Sequence, residues 1–460
     1  MARPELQDVT GITADSRAVR PGFLFAALPG LKADGRAFIA EAVAKGAVAV
    51  LAPEGTVWPA DVPPRRLILS STPRAKLAEL AVALAGPMPE RLVAVTGTNG
   101  KTSTVDFLRQ IFILAGRRAA SIGTLGVVCP GWPVADSLTT PDPVRLAATL
   151  AALARDGVGD VALEASSHGL AQHRLDGLRF AAAGFTNLTR DHLDYHGTME
   201  AYATAKLRLF TDLLKPGAAV RVMADLAPDL QARLRALAAE KGFDFAAVAL
   251  ARVEARPDGQ MLVQDGRQVL LPLPGRFQAD NAALAASLAE ALGVGDAFGL
   301  LAHLAGVRGR LERALVLPNG AAVYVDYAHT PDAIARVLGA LRPHARLRLH
   351  IVFGAGGERD AGKRPLMGQA AAAGADVCII TDDNPRGEDP AAIRAAILAA
   401  CPGAREIGDR RAAIAAALEG LRAGDVLVVA GKGHEQGQIM GGQTHPFDDV
   451  SVIRELGEGL

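Results

Sequence analysis

The sequence is poor in aromatics, poor in cysteine and without net charge. Phe, Trp and Tyr together make up 4% of the 460 residues, while half of the chain is hydrophobic. Its cores must therefore be aliphatic and rich in alanine. The three cysteines, Cys129, Cys378 and Cys401, are scattered, odd in number and without metal-ligand spacing. That argues against a disulfide framework and fits a reducing compartment. Lys+Arg and Asp+Glu stand at 49 each, so no broad basic field exists to attract nucleic acid or an anionic membrane. No apolar run approaches the roughly 20 residues needed to span a bilayer, and the first residues contain no apolar signal core. These absences lead us to expect a cytoplasmic protein with neither nucleic acid nor membrane as partner; a monomer is expected as well.

What is present is an α/β pattern long enough for about three domains of ordinary size. Residues 1–88 read as a small α/β unit, closed by the linker-like Gly86-Pro87-Met88-Pro89. Residues 89–312 alternate strand-like and helix-like segments, as a mostly parallel sheet of P-loop type requires. Within them, Asp258-Gly259 and Asp265-Gly266 sit between short apolar stretches, the mark of hairpin turns, which predicts an antiparallel flap on the parallel core. Residues 313–460 contain four strand candidates, 321–325, 347–353, 377–381 and 426–430, each ending in polar or glycine-rich sequence. A Rossmann-like domain with a ligand across its strand ends follows from that layout.

The stretch Arg91-Leu-Val-Ala-Val-Thr-Gly-Thr-Asn-Gly-Lys-Thr102 carries the strongest chemical signal. An apolar strand runs into a glycine-flanked loop, and a helix-like segment extends from Lys101 to about Ala115. Loop N–H groups and a helix N-terminus suit an anion, Lys101 adds a point charge, and the Thr102 hydroxyl can ligate Mg²⁺. Only Gly100-Lys101-Thr102 matches the standard phosphate-loop pattern, because Val95 stands where its first glycine would be. Glu164 and Asn187 follow other apolar runs and should converge on the same strand ends. Asp191-His192-Leu-Asp194-Tyr-His196 can be read as a metal patch or as a solvated loop; Thr102 and Glu164 offer hard oxygen donors for Mg²⁺. On the helical segment 198–214, Lys206 falls in a stripe with Met199, Tyr202, Leu209, Phe210 and Leu213. Two readings stand: its ammonium snorkels to water, or burial neutralises the amine and makes it available to CO₂ as a carbamate.

Taken together, the motifs resemble the Mur ligases of peptidoglycan synthesis. They are Thr96-Gly-Thr-Asn-Gly-Lys-Thr102, Glu164-Ala-Ser-Ser-His-Gly169, Asn187-Leu-Thr-Arg-Asp-His-Leu-Asp194, Tyr202-Ala-Thr-Ala-Lys206 and Asp326-Tyr-Ala-His-Thr-Pro331. The resemblance covers all three regions in order. It implies that Gly97, Thr98, Asn99, Gly100, Lys101 and Thr102 hold ATP phosphates, with Asn281, Arg310 and Asp326 near the nucleotide. Thr102 and Glu164 would serve one Mg²⁺, and His192 with carbamylated Lys206 a second. The first substrate would be UDP-N-acetylmuramoyl-L-alanyl-D-glutamate. Ala14, Ser16 and the Leu31-Lys32-Ala33 loop would take its uridine end, and Thr139, Thr140, Ser166, Gln172 and Arg174 its muramoyl-dipeptide end. Asp383-Asn384-Pro385-Arg386 looks like the motif of the branch that adds meso-2,6-diaminopimelate rather than lysine, with Arg359, Gly431 and Glu435 completing that pocket. Gln278 and Leu138 stand where the family usually has Asn, which puts one contact each in doubt.

The implied reaction is an ADP-forming carboxylate–amine ligation. Phosphoryl transfer turns an unreactive carboxylate into an acyl phosphate, which the amine attacks without any enzyme nucleophile. Positioning and charge neutralisation then carry catalysis. Arg386 could pair with the distal carboxylate that distinguishes diaminopimelate from lysine. Residues Gly309 to Arg313 are the expected hinge for closure. The rivals are a folylpolyglutamate synthetase, disfavoured by the uridine-site region and by residues 383–386, and a non-enzymatic P-loop switch, disfavoured by the lack of an Asn-Lys-x-Asp motif. His168 beside Ser166 and Ser167 lacks the Gly-x-Ser-x-Gly elbow of a hydrolase.

Overall fold

A computed structural model describes residues 3–30, 33–133, 138–256 and 259–459. The chain divides into two compact units, residues 1–249 with 284–297, and residues 250–283 with 298–460.

Among the described residues the first unit contains two sheets. Gly11–Thr13, Phe23–Ala26, Ala49–Pro53 and Arg66–Ser70 form an all-parallel sheet in that order. The helix Pro73–Ala85 covers it and packs against the helix Pro143–Arg155. Val144 of the second helix joins the cluster around Leu77 and Leu80 of the first. That shared apolar contact explains why residues 1–88 do not separate from the sheet that follows. The larger sheet has seven strands in the order Asp244–Val248, Leu214–Met223, Phe180–Phe185, Arg91–Thr96, Asp160–Glu164, Ala119–Gly123 and Gly126–Val128. All its pairings are parallel except the one made by the last strand. Residues 92 to 96 are all buried, as a central parallel strand covered on both faces must be, which is why they read as an unbroken apolar run.

The second unit contains a six-stranded sheet ordered Glu312–Val316, Ala322–Asp326, Val426–Ala430, Leu349–Phe353, Val377–Ile380 and Arg405–Glu406. Only the first strand is antiparallel. The four expected strands are present, and two edge strands too short or too polar to stand out add to them. Arg252–Arg256, Gly259–Gln264 and Arg267–Leu271 form the expected antiparallel sheet. Asp265 and Gly266 make its two-residue turn with φ of 49° and 78°, the left-handed pair that matches strand twist; Asp258 lies outside the described residues.

By contact the antiparallel sheet lies in the second unit. Arg267 lies over the Phe298 ring at 4.9 Å, and Gln260 donates to the carbonyls of Leu273 and Gly275 at 2.7 and 3.0 Å. Gly309–Arg313 is likewise packed inside that unit. A Cβ on Gly309 would overlap the backbone of Gly433 and His434, and Leu311 N–H donates to Asp326 Oδ2 at 2.7 Å. The chain passes between the units at 249/250, 283/284 and 297/298.

Candidate active site

The phosphate loop leaves the central strand at Thr96 and enters the helix Lys101–Leu114 through Gly100, whose φ is 86°. Gly97 has φ 141°, and a Cβ there would collide with the Thr186 hydroxyl; this position requires glycine. The loop is fastened to the segment after the neighbouring strand. Thr98 N–H donates to Asn187 O at 2.8 Å, Asn99 N–H to Asn187 Oδ1 at 3.0 Å, and the Thr186 hydroxyl to Asn99 O at 2.6 Å. Thr98 Oγ1 donates to Thr189 O at 3.2 Å and accepts Thr189 N–H at 3.0 Å. Lys101 Nζ donates to the carbonyls of Gly97 and Thr98 at 3.0 and 2.8 Å. Thr102 is buried in the first turn of the helix.

Lys206 reaches the same loop from the helix Met199–Asp212, capped by the Thr198 hydroxyl on Ala201 N–H. Its side chain is 1% exposed and its Nζ donates to Gly97 O at 2.7 Å. The amine therefore does not snorkel. Burial, and then the nearby Lys101 charge, push its pKa down to about 6 against the opposing pull of Asp191. Tyr202 links the two elements: Lys206 Nζ lies 4.4 Å from its ring centroid, and its hydroxyl donates to Thr98 Oγ1 at 3.2 Å. His192 has a left-handed backbone, φ 52°, and sits 6.1 Å from the Tyr202 ring and 4.9 Å from the His168 ring. Burial and the neighbouring His192 hold His168 and His196 below the usual histidine range. Among the described residues no three His, Cys, Asp or Glu side chains are grouped to hold a metal ion.

Glu164 ends the strand beside the loop, with Val95 as its register partner. It is 1% exposed, and its carboxylate accepts Thr124 N–H at 2.8 Å and the Thr124 hydroxyl at 3.4 Å. Thr139 and Thr124 share a hydroxyl contact of 3.1 Å. Thr140 Oγ1 bonds Glu164 O, Ser166 Oγ and Ser166 N–H at 2.8, 2.9 and 3.0 Å. Arg174 donates to Thr140 O and to Gln172 Oε1, both at 2.7 Å, and Gln172 Nε2 donates to the Tyr195 hydroxyl at 3.3 Å. All five residues expected at the dipeptide end thus join one network with Glu164. Burial lowers the Arg174 pKa, as a guanidinium sunk among neutral acceptors requires. Ser16 is fixed elsewhere, its hydroxyl donating to Glu41 Oε2 at 2.9 Å, with Ala14 exposed nearby. Leu31 and Lys32 lie outside the described residues.

The second unit gathers a separate polar group. Gly357 N–H donates to Asn384 O at 2.9 Å. Asn384 Nδ2 donates to Glu435 Oε2 at 2.9 Å, and Gly431 leaves room for the Asp383 carboxylate, which a Cβ would approach to 2.8 Å. Arg386, with φ 55°, donates to Gly357 O at 2.8 Å and makes no ion pair among the described residues. Pro385 lies against Gly357, and Arg359 is exposed on the adjoining loop. Asp326 accepts Leu311 N–H and Ala328 N–H at 2.7 and 2.8 Å; burial raises its pKa against the pull of Arg310. Arg310 stacks 4.6 Å over the Tyr327 ring. Asn281 is buried on the helix Arg276–Ala291, where Gln278 Nε2 donates to Arg310 O at 2.8 Å.

Three family models match the chain: "Mur ligase family, catalytic domain" over residues 8–86, "Mur ligase middle domain" over 95–289, and "Mur ligase, glutamate ligase domain" over 309–433. Curated relatives named UDP-N-acetylmuramoyl-L-alanyl-D-glutamate--2,6-diaminopimelate ligase include one from Caulobacter vibrioides, 53% identical over 98% of this chain and 96% of its own. Another, from Bradyrhizobium diazoefficiens, is 52% identical over 97% and 94%. This chain belongs to the Mur ligase family. A solved structure of the same enzyme name matches at 35% identity and TM-score 0.73, covering 98% of this chain and 95% of that one. The MurF ligase of Thermotoga maritima, solved with ADP, shares the fold at TM-score 0.64 and 19% identity.

As a Mur ligase the chain contains functional neighbours that reading by motif passed over. Asn187 reads from sequence as a polar strand end and the start of a family motif, and in the structure it clamps both Thr98 and Asn99. Tyr202 looked like one apolar member of a stripe; its hydroxyl has a polar partner that only tertiary structure supplies. Lys432, inside the Gly431-Lys-Gly-His-Glu435 run, is wholly buried, which is rare for a lysine.

Proposed function

We propose that this chain is an ATP-dependent, ADP-forming ligase that joins meso-diaminopimelate to UDP-N-acetylmuramoyl-L-alanyl-D-glutamate in peptidoglycan precursor synthesis. The supporting observation is half-identity, over nearly the whole of both chains, with relatives bearing that enzyme's name. The loop 97–102 would cradle the ATP phosphates, its N–H groups and the helix N-terminus facing the anion and Lys101 turning from the carbonyls of Gly97 and Thr98 toward the γ-phosphoryl group. Arg174, half-buried beside Thr140 and in no ion pair among the described residues, would orient the dipeptide's acid group. Phosphoryl transfer to that carboxylate gives an acyl phosphate; the amine attacks, and the tetrahedral intermediate collapses to an amide with loss of phosphate.

The residues fit Mg²⁺. Thr102 and Glu164 are hard, buried oxygen donors, and the absence of a ready-made cluster among the described residues suits an ion that takes its remaining ligands from phosphates and water. His192 and Lys206, both beside Tyr202, would serve a second ion once Lys206 is carbamylated. An amine neutral near pH 7 is the form that reacts with CO₂. Bound Mg²⁺ would neutralise charge that develops on the transferred phosphoryl group.

In the second unit Asp383, Asn384, Arg386, Gly431 and Glu435 would receive diaminopimelate. The decisive assay is phosphate release from ATP with the UDP-muramoyl dipeptide, comparing diaminopimelate with lysine. Release that depends on dipeptide and diaminopimelate together is expected, and ATP left unconsumed in that mixture would defeat the reading. Carbamylation is tested separately by ¹³C NMR after [¹³C]bicarbonate: a carbamate signal should appear in the native protein and be missing in Lys206→Met.

A further inference from the structure

The pocket proposed for the amino acid contains a cation that none of the roles above uses. Lys432 is 0% exposed. Its Nζ donates to Asn384 Oδ1 at 3.0 Å and to Glu435 Oε2 at 3.5 Å, and lies 3.7 Å from Asp383 Oδ1. Asn384 Oδ1 also accepts Ile439 N–H at 2.9 Å. The two ends of a carboxamide have nearly the same shape, so hydrogen-bond partners decide which way it faces. Here two donors converge on one end and make it the oxygen. The other end is then the NH₂ group, which gives one N–H to Glu435 Oε2 at 2.9 Å and has a second to offer.

We propose that Lys432 is a positioning residue for the amino-acid substrate. It pins Asn384 so that Nδ2 presents its second N–H to a carboxylate of the incoming amino acid. It also holds Asp383 and Glu435 about one cation, two anions that would otherwise repel each other within the pocket. This inference rests on the ligase reading above. Lys432 acts through Asn384, and that indirectness is what the test addresses.

The experiment is steady-state kinetics of the full chain as Lys432→Met, Lys432→Gln, Asn384→Ala and the Lys432→Met/Asn384→Ala double variant. Lys432→Met should raise KM for diaminopimelate at least tenfold and leave KM for ATP and for the UDP-dipeptide within twofold. Lys432→Gln, which keeps an N–H donor to Asn384 Oδ1, should recover to within threefold of the native KM. The double variant should be no worse than the poorer single one, because the two residues form one chain of contacts. An unchanged KM in Lys432→Met, a Gln variant as poor as the Met variant, or effects that multiply would each overturn the proposal. Should Lys432→Met fail to fold, Asn384→Asp takes its place. It keeps an acceptor for Lys432 and has no N–H to offer, so the same tenfold loss is expected, and an unchanged KM overturns the proposal. A native chain that consumes no ATP defeats the ligase reading; an active native chain with indifferent variants defeats this proposal alone.

Discussion

Gly97→Ala tests the phosphate loop at its tightest point. The added methyl would overlap the Thr186 hydroxyl and stand 3.1 Å from the backbone N and O of Asn187. The hydroxyl cannot swing aside freely, because it donates to Asn99 O at 2.6 Å and approaches Thr96 O at 3.4 Å. Losing that anchoring amounts to about 1 kcal/mol for the stronger bond. The backbone adds its own penalty: a φ of 141° is nearly closed to residues with a side chain, at about 1–3 kcal/mol. Together these give roughly 2–4 kcal/mol against the native loop. If the loop relaxes instead of the whole unit unfolding, nucleotide affinity falls by the population of the competent form, about 30-fold to several hundred-fold. Titration calorimetry with a non-hydrolysable ATP analogue measures this, and thermal melting reports whether the unit itself is weakened. Affinity within threefold of native, with an unchanged melt, would refute the reasoning.

Four further perturbations bear on other parts of the molecule. Arg386→Ala should abolish most of the preference for diaminopimelate over lysine; unchanged selectivity in the phosphate-release assay would count against its role. Asp449→Ala leaves Arg410 buried and uncompensated, since the pair is bidentate at 2.7 and 2.8 Å with both side chains 0% exposed; a loss of about 3–5 kcal/mol is expected in urea unfolding, and a loss below 1 kcal/mol would be the wrong result. Asp425 is pulled down to about 2, against the opposing effect of burial, by N–H groups of Arg422 and Arg348 and by the Arg348 guanidinium. Its stabilisation is present above the unfolded carboxylate range and is lost as pH falls from about 4 to about 2. The stability gap between native and Asp425→Asn should therefore be flat from pH 7 to about 5 and shrink below about 4; a gap indifferent to pH would contradict this. Tyr202→Phe removes a 3.2 Å bond to Thr98 Oγ1, whose other two partners remain, so a change of only about 0.5–1.5 kcal/mol is expected, against a much larger one for Tyr202→Ala.

Much was legible from local sequence. The strand, glycine loop and helix at residues 91–114 announce themselves because a buried parallel strand, a left-handed Gly100 and a helix start each impose a short-range signature. Asp265-Gly266 declared its hairpin for the same reason, and the polar residues ending apolar runs marked the strand ends where Glu164 and Asn187 converge. Family resemblance supplied the chemistry, and the full-length relatives bear the corresponding enzyme name. What could not be read was anything settled by partners distant along the chain. Whether Lys206 meets water depended on Gly97, 109 residues earlier, and on the ring of Tyr202. Which end of the Asn384 amide is oxygen was decided by Lys432, 48 residues away. Sequence specifies backbone conformations that cost little locally; only the assembled core determines which polar atoms lose water, and so which of them need one another.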